Sequence, residues 1–432
     1  MPASLQRCFT VGVRFRYNLP IQCQLSWQGF LCLQDDMLAV LIMVIQRCGW
    51  RTDSTPMQER PSMLRITASI ARTGCAVCMA RVRLLLRRRR LAACVLPVCL
   101  LLAGCADKPK DIHQSLFIFG TLVDITVHGT PEDQAATAIA AVDEDFQYMH
   151  REWHAWKPGG ELVKLNRRLA AGETTTVSDF LLPLLLQART LSIQSDGLFN
   201  PAIGRLIALW GFQSDEPPPG PPPSAESIDA LVAGKPDMQA LVIEGNLVSS
   251  INPLVQLDLG GFAKGYALNQ AIARLHSLGV DNAIVNAGGD LCVSGRHGDR
   301  LWQVGIRHPQ GEGVIAALAV ADGECVLTSG NYERYREYED VRYAHILDPR
   351  NGWPVRHVAS ATVIHADGGV ADAAATALTV AGPDDWRRIA RRMGLVYVML
   401  VDEVGTVYLS PAMAERIQFA KGQGAAVIVA EP

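Results

Sequence analysis

The chain has 432 residues with 40 basic and 43 acidic side chains, and 49% of it is apolar. That length exceeds one domain of ordinary size, the balanced charge excludes a basic footprint for nucleic acid, and the composition excludes a wholly disordered chain. The cysteines are uneven: Cys8, Cys23, Cys32, Cys48, Cys75, Cys78, Cys94, Cys99 and Cys105 lie in the first quarter, and Cys292 and Cys325 lie beyond it. A disulfide scaffold would spread them through the fold, so the first quarter reads as a different kind of sequence from the rest.

Residues 79–104 have the layout of a lipoprotein signal peptide. Arg81, Arg83 and Arg87 to Arg90 form a basic segment, Leu91 to Leu102 an apolar run, and Leu102-Ala103-Gly104-Cys105 the small-residue ending. The run is too short to span a bilayer comfortably. The ending resembles a lipobox, which implies an acylated Cys105 and a chain held by lipid on the periplasmic side of a bacterial membrane. Ala106 follows the cysteine where an Asp would point to inner-membrane retention, which leans to the outer membrane. Residues 1–78 mix Trp27, Trp50 and scattered Cys and Arg without lasting periodicity. Since a signal peptide begins a chain, Met79 is the expected start and residues 1–78 a non-native extension.

Residues 105–114 read as a polar tether, 115–415 as the catalytic domain and 416–432 as a tail. Leu116 to Val127 reads as a strand pair broken at Gly120. Ala136, Ile139, Val142 and Phe146 keep helical spacing within 131–152, and a Leu-rich helix follows over 179–195 behind Ser178-Asp179. Residues 215–225 are Pro-rich and read as a surface loop. Strands are expected over 240–258, a helix over 264–278, and strands over 282–320 and 324–328. Ala359 to Ile364 reads as a strand leading to helices near 371–381 and 383–393, and 395–409 as a hairpin turning near Glu403 and Gly405.

Three segments carry chemistry. In Leu257-Asp258-Leu259-Gly260-Gly261-Phe262-Ala263-Lys264-Gly265-Tyr266 a strand ends on an acid, two glycines free the backbone and a helix opens beside a Lys. Such a turn lets main chain and helix N–H groups approach phosphate; it is equally a tight strand–helix connection. In Ala371-Asp372-Ala373-Ala374-Ala375-Thr376-Ala377 the carboxylate and the hydroxyl are four apart on one helix face, hard oxygen ligands suited to Mg²⁺. Alternatively Asp372 caps the helix and Thr376 bonds its own backbone. In His345-Ile346-Leu347-Asp348-Pro349-Arg350-Asn351-Gly352 a His on a strand precedes an Asp-Pro turn, and it is a general-base candidate or a structural His.

Together these segments, with Asn286-Ala287-Gly288-Gly289-Asp290 and Thr328-Ser329-Gly330-Asn331-Tyr332 between them, resemble in order the FAD:protein FMN transferase family, the ApbE family. Phe119-Gly120-Thr121, Trp156-Lys157-Pro158, Ser195 to Pro201 and Leu209 to Phe212 extend the match, which covers roughly residues 115–410. Two features depart from the pattern: Asn351, where the family usually has Thr or Ser, and the Pro-rich loop.

The resemblance implies an α+β fold of two lobes with mixed, largely antiparallel sheets and an FAD cleft between them. It places Phe119, Trp156, Leu198, Phe199 and Asn200 around the flavin or adenine, Asp258, Lys264 and Ser329 in contact with FAD, and the Ile346–Leu347 strand along it. It assigns Mg²⁺ to the Gly261 carbonyl, Asp372 and Thr376, and catalysis to Asp372 and His345. The implied reaction moves FMN from FAD to a Thr or Ser hydroxyl of an acceptor protein, expected to be a membrane-associated redox subunit, and releases AMP. The same site with water as nucleophile would be an FAD pyrophosphatase, and without chemistry a flavin-binding lipoprotein. Cys292 and Cys325 would suit an oxidising compartment as a pair, but two separate small buried residues is the preferred reading.

Overall fold

The alternation of residues 111–128 folds as a hairpin, β1 (Asp111–Ile118) against β2 (Thr121–His128), reversing at Phe119 and Gly120, both at positive φ. In this computed structural model the described residues are 110–432 except 215, 217 and 423. The signal-peptide layout, Cys105 and residues 1–78 lie outside the described residues.

In chain order there follow α1 (Glu132–Trp153), α2 (Glu161–Ala170), β3 (Thr175–Thr176), α3 (Leu182–Gln194), α4 (Gly204–Leu209), α5 (Ala225–Ala233), β4 (Leu241–Glu244) and β5 (Leu247–Ser250). Next come α6 (Ala263–Ser277), β6 (Ala283–Ala287), β7 (Asp290–Ser294), β8 (Trp302–Arg307), β9 (Val314–Val320), β10 (Cys325–Gly330), β11 (Tyr335–Tyr338) and β12 (Val341–Ala344). The described chain ends with β13 (Val358–His365), α7 (Gly368–Met393), β14 (Tyr397–Asp402), β15 (Val407–Leu409), α8 (Pro411–Arg416), β16 (Gln418–Phe419) and β17 (Val427–Val429).

Nine strands form one sheet in the order β1-β2-β6-β7-β10-β13-β14-β15-β17, antiparallel throughout except the last pair. Its central strands are covered on both faces, so β7 and β13 are buried almost end to end and read as near-continuous small and apolar runs. On one face α6 and α7 close a core with Val285, Cys292, Leu327, Ala361 and Val363. On the other, Leu291, Val293, Val326, Ile364 and Met399 meet Ile306, Ile315 and Leu318 from the sheet β16-β9-β8. The fold is α+β with largely antiparallel sheets, as expected from sequence.

Several local readings change. Asp111 to Gln114 are strand and not tether, because each pairs with β2. The expected tail contributes β16 and β17, which extend two sheets. α2 escaped the sequence reading although Leu162, Leu165 and Leu169 line its buried side. β12 ends at Ala344, so His345 lies just past a strand. α7 is capped by Asp367, whose Oδ1 accepts from the Val370 N–H at 3.1 Å, so Asp372 is no cap. Gly382, at φ 74°, kinks α7 before Pro383, which is why sequence periodicity showed two helices. The Pro-rich loop is fastened from beneath: the buried Arg336 guanidinium donates to the Gly220 and Pro221 carbonyls at 2.8 and 2.9 Å and to Trp210 O at 3.0 Å.

Cys292 and Cys325 are joined, against the preferred sequence reading. They face each other directly in the β7–β10 ladder with Cα atoms 4.0 Å apart, a register that no local signal encodes. The bridge closes a loop over a separation of 33 residues. Loop-closure entropy for such a span is worth about 3.7 kcal/mol. Replacing both cysteines by Ser is therefore expected to lower unfolding stability by about 3.7 kcal/mol, and the urea midpoint at pH 7 checks it; an unchanged midpoint would mean that the bridge constrains nothing.

Candidate active site

The Gly-rich turn is built by its own acid. Asp258 Oδ1 accepts from the Gly260 N–H at 3.0 Å, its Oδ2 accepts from Gln213 Nε2 at 2.9 Å, and its own N–H donates to Pro201 O at 2.8 Å. This holds Gly260 and Gly261 where the Phe262 and Ala263 N–H groups can both donate to Leu259 O and start α6. Here α6 crosses α7 at van der Waals contact of the backbones. A Cβ on Gly265 would lie 2.1 Å from Gly368 O and 2.8 Å from Asp372 Cβ. Because Gly265 has none, its N–H donates to Asp372 Oδ2 at 2.8 Å, placing the carboxylate at the positive first turn of α6. One turn along α7, Thr376 Oγ1 lies 3.5 Å from Gly261 O and 3.3 Å from Ser329 Oγ. The Gly261 carbonyl and the Ser329 hydroxyl thus flank the Thr376 hydroxyl, with the Asp372 carboxylate one turn earlier on α7.

Charge at this point is unbalanced. The Lys264 ammonium pairs with Asp290, whose Oδ1 also accepts from the Thr328 N–H at 2.7 Å. Burial would lower the Lys264 pKa, but Asp290, Asp372 and Glu333 together hold it above the ordinary lysine value. Burial, reinforced by Asp290 and opposed by Lys264 and the Gly265 N–H, pushes the Asp372 carboxyl up to about 7. Partial desolvation, with Asp290 and Asp372 nearby, pushes Glu333 up to about 7 against the pull of Lys264 and Arg307. The Asp372 carboxylate, with the Gly261 carbonyl and the Thr376 and Ser329 hydroxyls near it, offers hard oxygen donors of the kind that suit a divalent cation such as Mg²⁺.

His345 stands beside this cluster. Burial first, then the charges of Arg334 and Lys264, push its pKa down to about 4, so the ring is neutral at pH 7. Its Nδ1 is 3.0 Å from Arg334 O. A carbonyl only accepts, so Nδ1 carries the proton and Nε2 keeps its lone pair, the tautomer a general base needs.

The remaining expected residues lie at several places around this cluster. Phe119, His150, His154 and Trp156 form a run of edge-to-face rings with centroids 5.8, 5.2 and 4.3 Å apart, at the β1–β2 turn and the end of α1. Leu198 and Phe199 are buried, and Phe199 lies beside the Gly261 turn, with Cε2 3.8 Å from where a Gly261 Cβ would stand. Asn200 is occupied locally: its amide donates to Pro236 O at 2.9 Å and its oxygen accepts from the Ala202 N–H at 3.0 Å. Ile346 and Leu347 are buried and form no regular strand, since Ile346 O accepts from Val355 N and Leu347 bridges Pro354. At Asn351, where the resemblance implies a hydroxyl residue, the turn is kept, because its Oδ1 accepts from the Trp353 N–H at 2.8 Å. Asp290 and Glu333 were missed as site residues. Asp290 closes a recognised motif and Glu333 follows another, but only their placement around Lys264 reveals the role.

A family model described as the ApbE family matches residues 119–400. The chain belongs to the ApbE family. It is 45% identical over 312 residues to the FAD:protein FMN transferase of Rhodobacter capsulatus, an alignment covering 72% of this chain and 59% of that protein, so the chain spans less than two thirds of that relative's length. It is 29% identical over 308 residues to the protein of the same name from Vibrio cholerae, covering 70% of this chain and 91% of that one. The solved ApbE protein of Thermotoga maritima superposes with a TM-score of 0.66 at 32% identity, over 71% of this chain and 99% of that one. The matched segment holds every member of the oxygen and charge cluster.

The raised carboxyls fix a pH dependence. Asp372 and Glu333 titrate near 7 when folded and near ordinary carboxyl values when unfolded, so the folded state binds more protons between those values. Metal-free protein is therefore expected to lose stability as pH rises from about 4 to about 7. Thermal unfolding in EDTA across that window checks it: Asp372→Asn is expected to flatten the slope, and a parallel curve for the variant would refute the assignment.

Proposed function

We propose that this family member transfers FMN from FAD to a Thr or Ser hydroxyl of an acceptor protein and releases AMP, with Mg²⁺ at the oxygen cluster. The observation that carries the reading is the half-buried to buried set of Gly261, Ser329, Asp372 and Thr376 oxygens beside the Lys264–Asp290 pair, where negative charge exceeds positive. The name shared by the curated relatives supports the same chemistry. The Gly261 carbonyl, Asp372 and Thr376 would hold Mg²⁺, with Ser329 beside them. When bound, such an ion neutralises pyrophosphate charge.

The acceptor hydroxyl attacks the phosphorus that bears the flavin, a P–O bond forms, and the bond to the AMP phosphate breaks. His345 Nε2 takes the hydroxyl proton. Lys264 adds positive charge near the phosphates, and the Asp258 turn positions the Gly260–Gly261 backbone. Little covalent work is asked of the protein beyond orientation and electrostatics. The ring run at Phe119 and Trp156 offers stacking faces for the flavin or adenine. A lipid anchor at Cys105 would hold the enzyme on the periplasmic side, beside membrane-associated redox subunits as acceptors. Among the described residues no helix is long and apolar enough to cross a membrane.

Incubation with FAD, Mg²⁺ and a Thr-bearing acceptor, followed by mass spectrometry, is expected to show a covalent FMN adduct together with AMP. His345→Gln is expected to lower kcat by roughly 10²–10⁴ with KM for FAD within a few-fold. Free FMN and AMP with no adduct would make the protein an FAD pyrophosphatase, and FAD binding without AMP a non-catalytic flavin carrier; either overturns the transferase reading.

A further inference from the structure

At the outer edge of the nine-stranded sheet three side chains converge that no part of the proposed chemistry uses. Asp111 opens β1 and stands opposite His128, the last residue of β2. His297 enters from the 295–300 loop. The Asp111 carboxylate accepts from His128 Nδ1 at 2.7 Å and from His297 Nε2 at 2.9 Å. The two imidazole rings lie 4.5 Å apart, and the three candidate donor atoms fall within 4.8 Å of one another.

Both imidazoles are held before any ion arrives. Asn282 anchors both approaches: its carbonyl accepts from the His128 N–H at 2.9 Å and its side-chain oxygen from the Arg296 N–H at 2.8 Å. His297 and Arg300 bridge across the loop, and Trp302 lies against the His297 ring at 5.1 Å. The His side chains are mostly covered, at 12% and 21% exposure, while Asp111 is 47% exposed, so the site is rigid on two sides and open on the third.

From this geometry we infer a second metal site, for a borderline transition ion such as Zn²⁺, on Asp111, His128 and His297. Two imidazoles and one carboxylate are ligands for Zn²⁺, Cu²⁺ or Ni²⁺, and unsuited to Mg²⁺. Bonds of 2.0–2.1 Å in a tetrahedral shell put neighbouring donors about 3.3 Å apart. Asp111 therefore retreats by about half an ångström to admit the ion, which its exposure permits, and each ring keeps its proton on the other nitrogen. Three protein ligands leave one position for water. The ion would fasten the edge strand β1 to the 295–300 loop.

The test is equilibrium dialysis of the full chain against Zn²⁺ at pH 7.5. Zinc taken up elsewhere, by thiols in particular, is common to all variants and cancels in the difference. Wild type is expected to bind one equivalent more than His128→Ala, His297→Ala and the corresponding Gln variants, which retain a side-chain donor to Asp111, and Asp372→Ala is expected to keep that equivalent. Zn²⁺ is also expected to raise the thermal midpoint of wild type and of Asp372→Ala, but not of the His variants. Equal stoichiometry in wild type and His variants, or loss of the difference in Asp372→Ala, overturns the site and leaves a hydrogen-bonded His–Asp–His network.

Discussion

The crossing of α6 over α7 is the constraint on which the site depends. Only glycine at positions 265 and 368 lets the two backbones approach closely enough for the Gly265 N–H to reach Asp372. That hydrogen bond does two things at once. It occupies an N–H that a helix start would otherwise leave to solvent, and it fixes a buried carboxylate whose desolvation opposes its charge. Thr376 follows one turn later on the same face, so a single contact orients two oxygens, while the Asp258 turn delivers the Gly261 carbonyl from the opposite side.

Around that contact the electrostatics are deliberately lopsided. Lys264, shared among Asp290, Asp372 and Glu333, does not offset the desolvation that raises Asp372 and Glu333. The protein answers by raising carboxyl pKa values, an arrangement characteristic of sites that receive a cation or a proton. His345 is treated in the opposite sense. Burial keeps it neutral, and the Arg334 carbonyl selects its tautomer. Acid cluster and neutral base are thereby kept distinct within one pocket of charge.

The sheet supplies rigidity to this machinery. β7 and β10 carry Asp290 and Ser329, and the Cys292–Cys325 bridge ties the same two strands a few residues away. Gly368, at the start of the helix that bears Asp372, packs near that bridge: a Cβ there would stand 3.1 Å from Cys292 Sγ. Helix, bridge and strand pair therefore form one packed block, in which moving any member moves the oxygens. The aromatic run at Phe119 and Trp156 packs on the same core from the first hairpin and α1.

Sequence alone was sufficient for features written in local patterns. Periods of two and 3.6 located the first hairpin, α1, α6 and the strand–helix passage into α7, and short motifs in fixed order marked Asp258 to Gly265, His345, Asp372 and Thr376 together with the family. What only the tertiary structure decided depends on register and burial, which couple residues far apart in the chain. Strand register joined Cys292 to Cys325, paired Asp111 to Gln114 with β2, and drew the C-terminal segment into two sheets. Packing made site residues of Asp290 and Glu333 and turned Asn200 into a support for its own turn, and burial set the proton affinities of Asp372 and His345. Desolvation and pairing are properties of the assembled neighbourhood, and no window of sequence contains that neighbourhood.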